Sequence, residues 1–348
     1  MRVAVTGGAG FVGSHVAEFY ASTGNEVIVV DNLSRSTLLG KIIGDPMYNL
    51  NYLRRYGNVT FLQHDIRERE ELEKHMKGVD VIVHAAAQVA VTASVIDPRT
   101  DFEVNALGTF NMLEIARKND ADFVYLSTNK VYGENVNKIP VKEGDKRYAF
   151  ADTRYASGIP EDFSIDGCGH SPYGCSKLAG DLYCQDYHHT YGLRTGVFRM
   201  SCIYGERQFG VEDQGWVAWF TIATLTGRPI TIYGDGKQVR DVLHVSDLVN
   251  ALDLFLKSRV KHGVYNVGGG PGNTLSLLEL LDMLRSMTGI SPQVSFADWR
   301  PADQKVYVSD ISKIGRELGW SPRVKPAEGV SRLVRWVREN IEIFGRKP

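Results

Sequence analysis

The opening residues limit the folds open to this chain more than any other stretch. An apolar run, Val3-Ala4-Val5, leads into Thr6-Gly7-Gly8-Ala9-Gly10-Phe11-Val12-Gly13, with glycines at 7, 10 and 13. A strand that passes through such a turn into a helix brings backbone N–H groups and the positive end of the helix dipole up to a pyrophosphate. Glycines also punctuate ordinary turns, so the reading needs context. Asp31 provides it, because it closes the next apolar run about twenty residues on, where a carboxylate accepts hydrogen bonds from both hydroxyls of an adenosine ribose. That placement favours NAD over NADP, although Arg35 nearby would suit NADP. The bland alternative is that Asp31 caps a turn with Asn32.

Apolar runs at 2–6, 26–31, 59–65, 79–86 and 122–129 alternate with helical patterns at 11–23 and 98–118, the second capped by Asp97. This alternation predicts an α/β fold of Rossmann type, a doubly wound parallel sheet with right-handed crossovers. Residues 133–170 are polar, long for an unstructured connection, and read as a substrate-facing loop. A helix restarts at Ser171-Pro172 and stops near Gly192, and a strand follows over 195–201. We therefore expect an NAD-binding domain over 1–194, with 237–262 contributing, and a smaller, partly discontinuous α/β cap domain over most of 195–348, closed by a helix at 326–344.

Forty basic and 41 acidic residues leave a formal net charge of -1, so no summed field draws the chain to nucleic acid or an anionic membrane. No apolar stretch approaches the roughly 20 residues that cross a bilayer, and no signal-peptide pattern opens the chain. Cys168, Cys175, Cys184 and Cys202 lack Cys-x-x-Cys spacing, so neither a metal site nor a redox pair is expected. A cytoplasmic protein fits these features.

Tyr173-Gly174-Cys175-Ser176-Lys177 sets a tyrosine and a lysine one helical turn apart on one face. A free phenol titrates near 10, and bringing it to about 7 takes roughly 4 kcal/mol of preferential phenolate stabilisation, which an ammonium and a positive nicotinamide ring can supply. The fifth apolar run ends in Thr128-Asn129, whose hydroxyl would face the crevice where parallel sheets bind ligands. Asp65, at the end of the third run, is placed to bond an adenine amine, and Ala85 and Ala86 let a cofactor lie against backbone. The expected cofactor set is Gly7, Gly10, Phe11, Val12, Gly13, Asp31, Asn32, Asp65, Ile66, Ala85 and Ala86, with Tyr173 and Lys177.

The glycine turn, Asp31, Thr128 and the Tyr173/Lys177 pair stand in the order found in the extended short-chain dehydrogenase/reductase family, which the chain resembles over nearly its whole length. The resemblance implies NAD-dependent chemistry with Thr128, Tyr173 and Lys177 as the catalytic triad. It also implies that Arg240, in Gly-Lys-Gln-Val-Arg-Asp-Val, and Arg300, in Arg-Pro-Ala-Asp, hold the pyrophosphate of a nucleotide-diphospho-sugar, for which guanidinium forks are suited. The bland reading of Arg240 is an ion pair with Asp241. Three strings are more particular: 127–133, 205–209 and 213–220. With 170–177 and 234–244 they are similar to the CDP-paratose (CDP-tyvelose) 2-epimerases.

That likeness implies transient oxidation of the sugar at C2 and hydride return to the other face, with Thr128, Asn129, Gln208, Arg240 and Arg300 on the substrate. A dehydratase would carry acids after Thr128, where Asn129 and Lys130 stand. Many 4-epimerases have Asn where Cys202 stands, which weakens the alternative of a UDP-sugar 4-epimerase. Trp216, Trp219 and Phe220 have the spacing of a buried helical stripe, and His188 and His189 are assigned no chemistry. The family resemblance further implies a homodimer paired through the helices at 98–118 and 172–191.

Overall fold

The computed structural model describes residues 1–35, 45–300 and 303–345. Its strands are β1 Arg2–Thr6, β2 Glu26–Val30, β3 Val59–Leu62, β4 Val81–His84, β5 Asp122–Thr128, β6 Val141–Glu143, β7 Tyr148–Phe150 and β8 Thr195–Met200. They continue as β9 Cys202–Tyr204, β10 Ile230–Tyr233, β11 Val239–His244, β12 His262–Val267, β13 Thr274–Ser276, β14 Val294–Ala297 and β15 Val306–Tyr307. The helices used below are α1 Phe11–Ser22, α2 Tyr48–Leu53, α3 Arg69–His75, α4 Val91–Ile96, α5 Pro98–Phe102, α6 Gly108–Asn119, α7 Ser171–Tyr191 and α8 Trp216–Thr226. After them come α9 Val245–Lys257, α10 Leu277–Thr288, α11 Ser312–Leu318 and α12 Pro326–Glu339.

Contacts divide the chain into two units, one of Met1–Val131, Ser171–Arg199 and Val249–Tyr265, the other of Tyr132–His170, Met200–Leu248 and Asn266–Pro348. The first is built on a seven-stranded sheet ordered β12-β8-β5-β4-β1-β2-β3. β1 pairs in parallel with β2 on one side and β4 on the other, so the strand order reverses there and a crevice opens at the strands' C-terminal ends. Val3, Ala4 and Val5 are all fully buried, which is why the strand reads as a continuous apolar run rather than an alternating one. Ala4, Ile28, Ile82 and Phe123 from the strands pack in one core with Met112, Leu113, Ile115 and Ala116 of α6.

Three expectations about this unit need correction. The helix at 98–118 is interrupted: α5 gives way to a π turn, Glu103–Leu107, before α6, although Asp97 does cap the start by accepting the Thr100 N–H at 3.0 Å. The wide turn aims Asn105 inward, where it bonds both backbone groups of Gln88, and hydrophobic spacing carries no sign of that. β8 belongs to the seven-stranded sheet, and the late contribution is 249–265 rather than 237–262. The reason is pairing: β11 bonds β9, β13 and β15 in the second unit.

In the second unit, β6 and β7 form a hairpin, so 133–170 is structured by short strands and 3-10 turns and packs with this unit, not the first. α8 is buried nearly all round, with Trp219 and Phe220 inside as expected but Trp216 only half-buried, and α12, whose Val330, Leu333, Val334 and Val337 are buried, packs against it. The last helix stops at Glu339. A 3-10 turn, Ile341–Phe344, then seats Phe344 against Phe209 and Trp336. Among the described residues no helix is long and apolar enough to cross a membrane, and no group of three or more His, Cys, Asp or Glu is placed to hold a metal ion.

Candidate active site

The turn after β1 has no room for side chains at two of its glycines. Gly7 has φ of +65°, and a Cβ there would lie 2.7 Å from the Ala86 nitrogen. At Gly13 a Cβ would meet the Gly7 carbonyl oxygen at 2.1 Å. These contacts draw the loop against the Ala85-Ala86 backbone and under the start of α1. Gly10 is the N-cap and offers no side-chain cap, and the first intrahelical bond is from the Ser14 N–H to the Gly10 oxygen at 3.0 Å. The N–H groups of Phe11, Val12 and Gly13 therefore precede the helical ladder and point at whatever lies on the helix axis.

Asp31, just past β2, accepts the Ala9 N–H at 3.0 Å and the Leu33 N–H at 2.8 Å. Burial raises its pKa, and those two N–H bonds oppose the rise. Its carboxylate is thus tied to the glycine turn. Asp65 lies beyond the end of β3. Its Oδ1 accepts from Arg67 N and Nε, both at 2.9 Å, and its Oδ2 accepts from an Arg67 terminal nitrogen and Asn32 Nδ2, both at 2.8 Å. Both carboxylate oxygens are thus engaged within the chain, by Arg67 and Asn32. Burial alone would raise its pKa, but the bonds from Arg67 and Asn32 win and hold it below the usual carboxylate value. Next to it, the Ile66 side chain sits in the core against Gly108.

Thr128 is the last residue of β5, and Tyr173 and Lys177 lie on the first turns of α7, where Ser171 Oγ caps the Gly174 N–H at 3.3 Å. The Thr128 hydroxyl donates to Asn129 Oδ1 at 3.3 Å and acts on the Tyr173 phenol to lower its pKa. Lys177 is almost fully buried; its Nζ donates to the Leu126 carbonyl at 2.7 Å and stands 4.2 Å from the centre of the Tyr125 ring. Burial pulls the Lys177 pKa down to about 8, against the pull of Asp181 and Asp101. Burial pushes the phenol up to about 12, with Thr128 opposing the rise and Asp101 adding to it. Such a pair can pass a proton between a hydroxyl and a phenolate once a further positive charge lowers the phenol.

Sequence reasoning missed the buried groups around this pair. Asp181, one helical turn after Lys177, accepts Arg199 at 2.9 and 3.1 Å and the Ser127 hydroxyl at 2.7 Å. The i+4 spacing from Lys177 was the available signal. His84, fully buried between Thr6 Oγ1 at 2.6 Å and Thr109 Oγ1 at 3.1 Å, is held neutral, its pKa driven to about 3 by burial and then by the Lys177 charge.

In the second unit, Arg240 pairs with Asp303 at 2.7 Å and donates to the Val239 carbonyl at 2.8 Å. Asp241 is not its partner, because that carboxylate is fully buried and accepts Ser201 Oγ, the Gly270 N–H and the Ser309 N–H. Arg300 pairs with Asp213 at 2.9 Å and lies 4.1 Å over the Tyr233 ring. Gln208 is buried and donates to the Ile203 carbonyl at 3.3 Å. Asn129, buried in the first unit, accepts the Thr128 hydroxyl at 3.3 Å.

A glycine turn, a ribose-type carboxylate and a Thr–Tyr–Lys set all lie in one unit, and the model of the NAD dependent epimerase/dehydratase family matches residues 3–268. The chain belongs to this family. It is an NAD-dependent enzyme, and the cradle described above fits that cofactor, since Cβ atoms are excluded where a diphosphate would approach. Among its relatives is CDP-paratose 2-epimerase of Salmonella typhi, 40% identical over 97% of this chain and 99% of the relative. UDP-glucose 4-epimerase of Thermotoga maritima, solved with UDP-glucose, superposes with a TM-score of 0.81 at 32% identity over 98% of this chain and 100% of that one. UDP-glucose 4-epimerase of Thermus thermophilus, solved with NAD, gives 0.78 at 34% identity over 97% and 99%. Thr128, Tyr173 and Lys177 are therefore set in the same architecture as those enzymes.

Proposed function

We propose that the enzyme epimerises a nucleotide-diphospho-sugar at C2 through a ketosugar. The similarity to CDP-paratose 2-epimerase carries this reading, because it runs end to end at 40% identity. The arrangement of Thr128, Tyr173 and Lys177 is consistent with it. Thr128 orients the reacting hydroxyl, Tyr173 takes its proton, and Lys177 holds its ammonium beside the resulting phenolate. Bound NAD supplies the oxidant for the first half of the cycle, the reductant for the second, and a positive charge while oxidised. Lowering a phenol from about 12 to neutrality takes roughly 7 kcal/mol of differential stabilisation, more than one exposed lysine provides. A dry site is needed for charges to act that strongly.

Arg240 and Arg300 hold the diphosphate, exchanging Asp303 and Asp213 for phosphate oxygens. Asn129 and Gln208 contact the sugar. Asn129 and Lys130 cannot act as the acid pair of a dehydration, so the hydroxyls survive. The chain works as a homodimer. Phe102 on α5, Leu107 in the π turn and Leu182 and Tyr183 on α7 are exposed apolar side chains on elements that pack together, with α5 against α7. A second copy would cover them.

A UDP-sugar 4-epimerase is the second reading, favoured by the likeness to the Thermotoga enzyme. Incubation with CDP-, GDP-, dTDP- and UDP-sugars, followed by NMR of the products, separates the two by the carbon that inverts. A C2-deuterated substrate should give product that keeps its label at C2. Loss of label to water would overturn oxidation at that carbon.

A further inference from the structure

The buried groups beneath the first turn of α7 form one polar network centred on Asp101, which is 1% exposed. Its Oδ2 accepts the Ser176 hydroxyl at 2.5 Å, and its Oδ1 accepts Gln88 Nε2 at 2.9 Å and Asn105 Nδ2 at 3.1 Å. Both amides have their orientation fixed by backbone. Gln88 Oε1 takes the Ala90 N–H, and Asn105 Oδ1 takes the Gln88 N–H at 2.8 Å. Every partner of Asp101 can donate to it, which matches an ionised carboxylate, and the Ser176 hydroxyl also lies 3.1 Å from the Tyr173 carbonyl oxygen. Asn105 reaches this position from the π turn, and it also donates to Ser176 Oγ at 3.1 Å. Seven residues before Asp101, Ser94 on α4 accepts the Tyr173 backbone N–H at 3.1 Å.

We propose that Asp101 is a positioning residue of the catalytic centre: its carboxylate locks the first turn of α7 through Ser176 and sets a fixed negative charge beside Tyr173 and Lys177. The inference rests on the roles given above to those two side chains. Toward Lys177 this task is shared with Asp181, while Asp101 is the carboxylate that also acts on Tyr173. On β5, Tyr125 is kept protonated by burial, and on β4, His84 is neutral. On α7 itself, the Cys184 thiol is pushed up by burial, and Asp181 is already engaged by Arg199, Ser127 and Gln185. Tyr173 faces Thr128 and Asp101. Burial raises the Asp101 pKa, while Ser176, Gln88 and the Lys177 charge oppose the rise. Its charge in turn favours the ammonium of Lys177 and disfavours the phenolate of Tyr173.

Asp101→Asn keeps the shape and removes the charge. Both groups should then lose their protons at lower pH, so the bell-shaped profile of kcat/KM slides acidward by about half to one unit on both limbs. A profile that drops in height without moving overturns the proposal. A second readout needs no substrate: phenolate absorbance of the NAD-loaded enzyme, taken as the difference from a Tyr173→Phe counterpart, should appear at lower pH in Asp101→Asn. An unmoved titration counts against it equally. If Tyr173→Phe itself turns over at the normal rate, the catalytic assignment fails, whereas the absorbance titration still judges the charge of Asp101. Should Asp101→Asn not fold, Ser176→Ala tests the lock: kcat should fall about tenfold or more, with KM and NAD affinity within about twofold. An unchanged kcat overturns the lock.

Discussion

Replacing Gly13 with alanine should abolish NAD binding, while the same change at Gly10 weakens it without unfolding anything. At Gly13 the new methyl would lie 2.1 Å from the Gly7 oxygen, 2.7 Å from the Gly7 carbonyl carbon and 2.8 Å from the Gly8 Cα. All three atoms are backbone, so no rotamer relieves the clash and the loop must lift by about an ångström. Overpacking of this kind costs about 1–3 kcal/mol of stability. The lifted loop also misdirects the N–H groups of the first turn. Losing two charge-assisted hydrogen bonds, at about 1.5–3 kcal/mol each, lowers affinity by roughly a hundredfold to ten-thousandfold.

At Gly10 the nearest atom is the Gly7 oxygen at 3.1 Å, and φ is -75°, which alanine adopts freely. Stability should stay within about 0.5 kcal/mol of the parent, because the Gly7 oxygen has to give by only a few tenths of an ångström to admit the methyl. Thermal unfolding of cofactor-free protein and titration calorimetry with NAD separate the two effects. Gly13→Ala binding NAD within threefold of the parent would refute the cradle. Gly10→Ala as unstable as Gly13→Ala would refute the packing argument.

Two further expectations follow from burial and exposure. His84 titrates near 6.5 when unfolded and about 3 when folded, so its contribution is complete above pH 6.5 and is lost as pH falls toward 3, by up to roughly 5 kcal/mol. In urea unfolding between about pH 6.5 and 4, His84→Gln should flatten the acid loss of stability; superimposable acid arms would count against a buried neutral imidazole. Phe102→Lys combined with Leu182→Glu should give a monomer in sedimentation velocity with NAD binding per chain retained, since these side chains are 57% and 48% exposed in the single chain. A monomeric parent, or a variant that stays dimeric, would refute pairing through α5 and α7.

The sheet was legible because its strands are buried on both faces and so appear as uninterrupted apolar runs, and the glycine turn because backbone crowding forces residue identity there. Thr128, Tyr173 and Lys177 were legible for a related reason, being pinned to a strand end and a helix start. What escaped was set by contacts distant in sequence. Arg240 finds Asp303 sixty-three residues away rather than its neighbour Asp241, and the interrupted helix owes its π turn to Asn105 reaching Gln88. Asp65 is a different case, because Arg67 is only two residues on. The reading of this strand-end acid left out the local arginine that binds it.

The two key ionisations are displaced toward their neutral forms, the phenol upward to about 12 and the ammonium downward to about 8. Burial causes both shifts, and burial is also what makes any added charge strong in this site. Near neutral pH the lysine keeps its proton and the phenol keeps its own, so the pair by itself is a weak base. The positive charge of oxidised NAD, held near the phenol, would act in the same dry surroundings and favour phenolate more than it would in water. In the proposed mechanism, proton abstraction is thereby tied to occupancy by the oxidised cofactor, and the chain's own residues would set the threshold: Thr128 lowers it, Asp101 raises it, and the Leu126 carbonyl holds the ammonium in place.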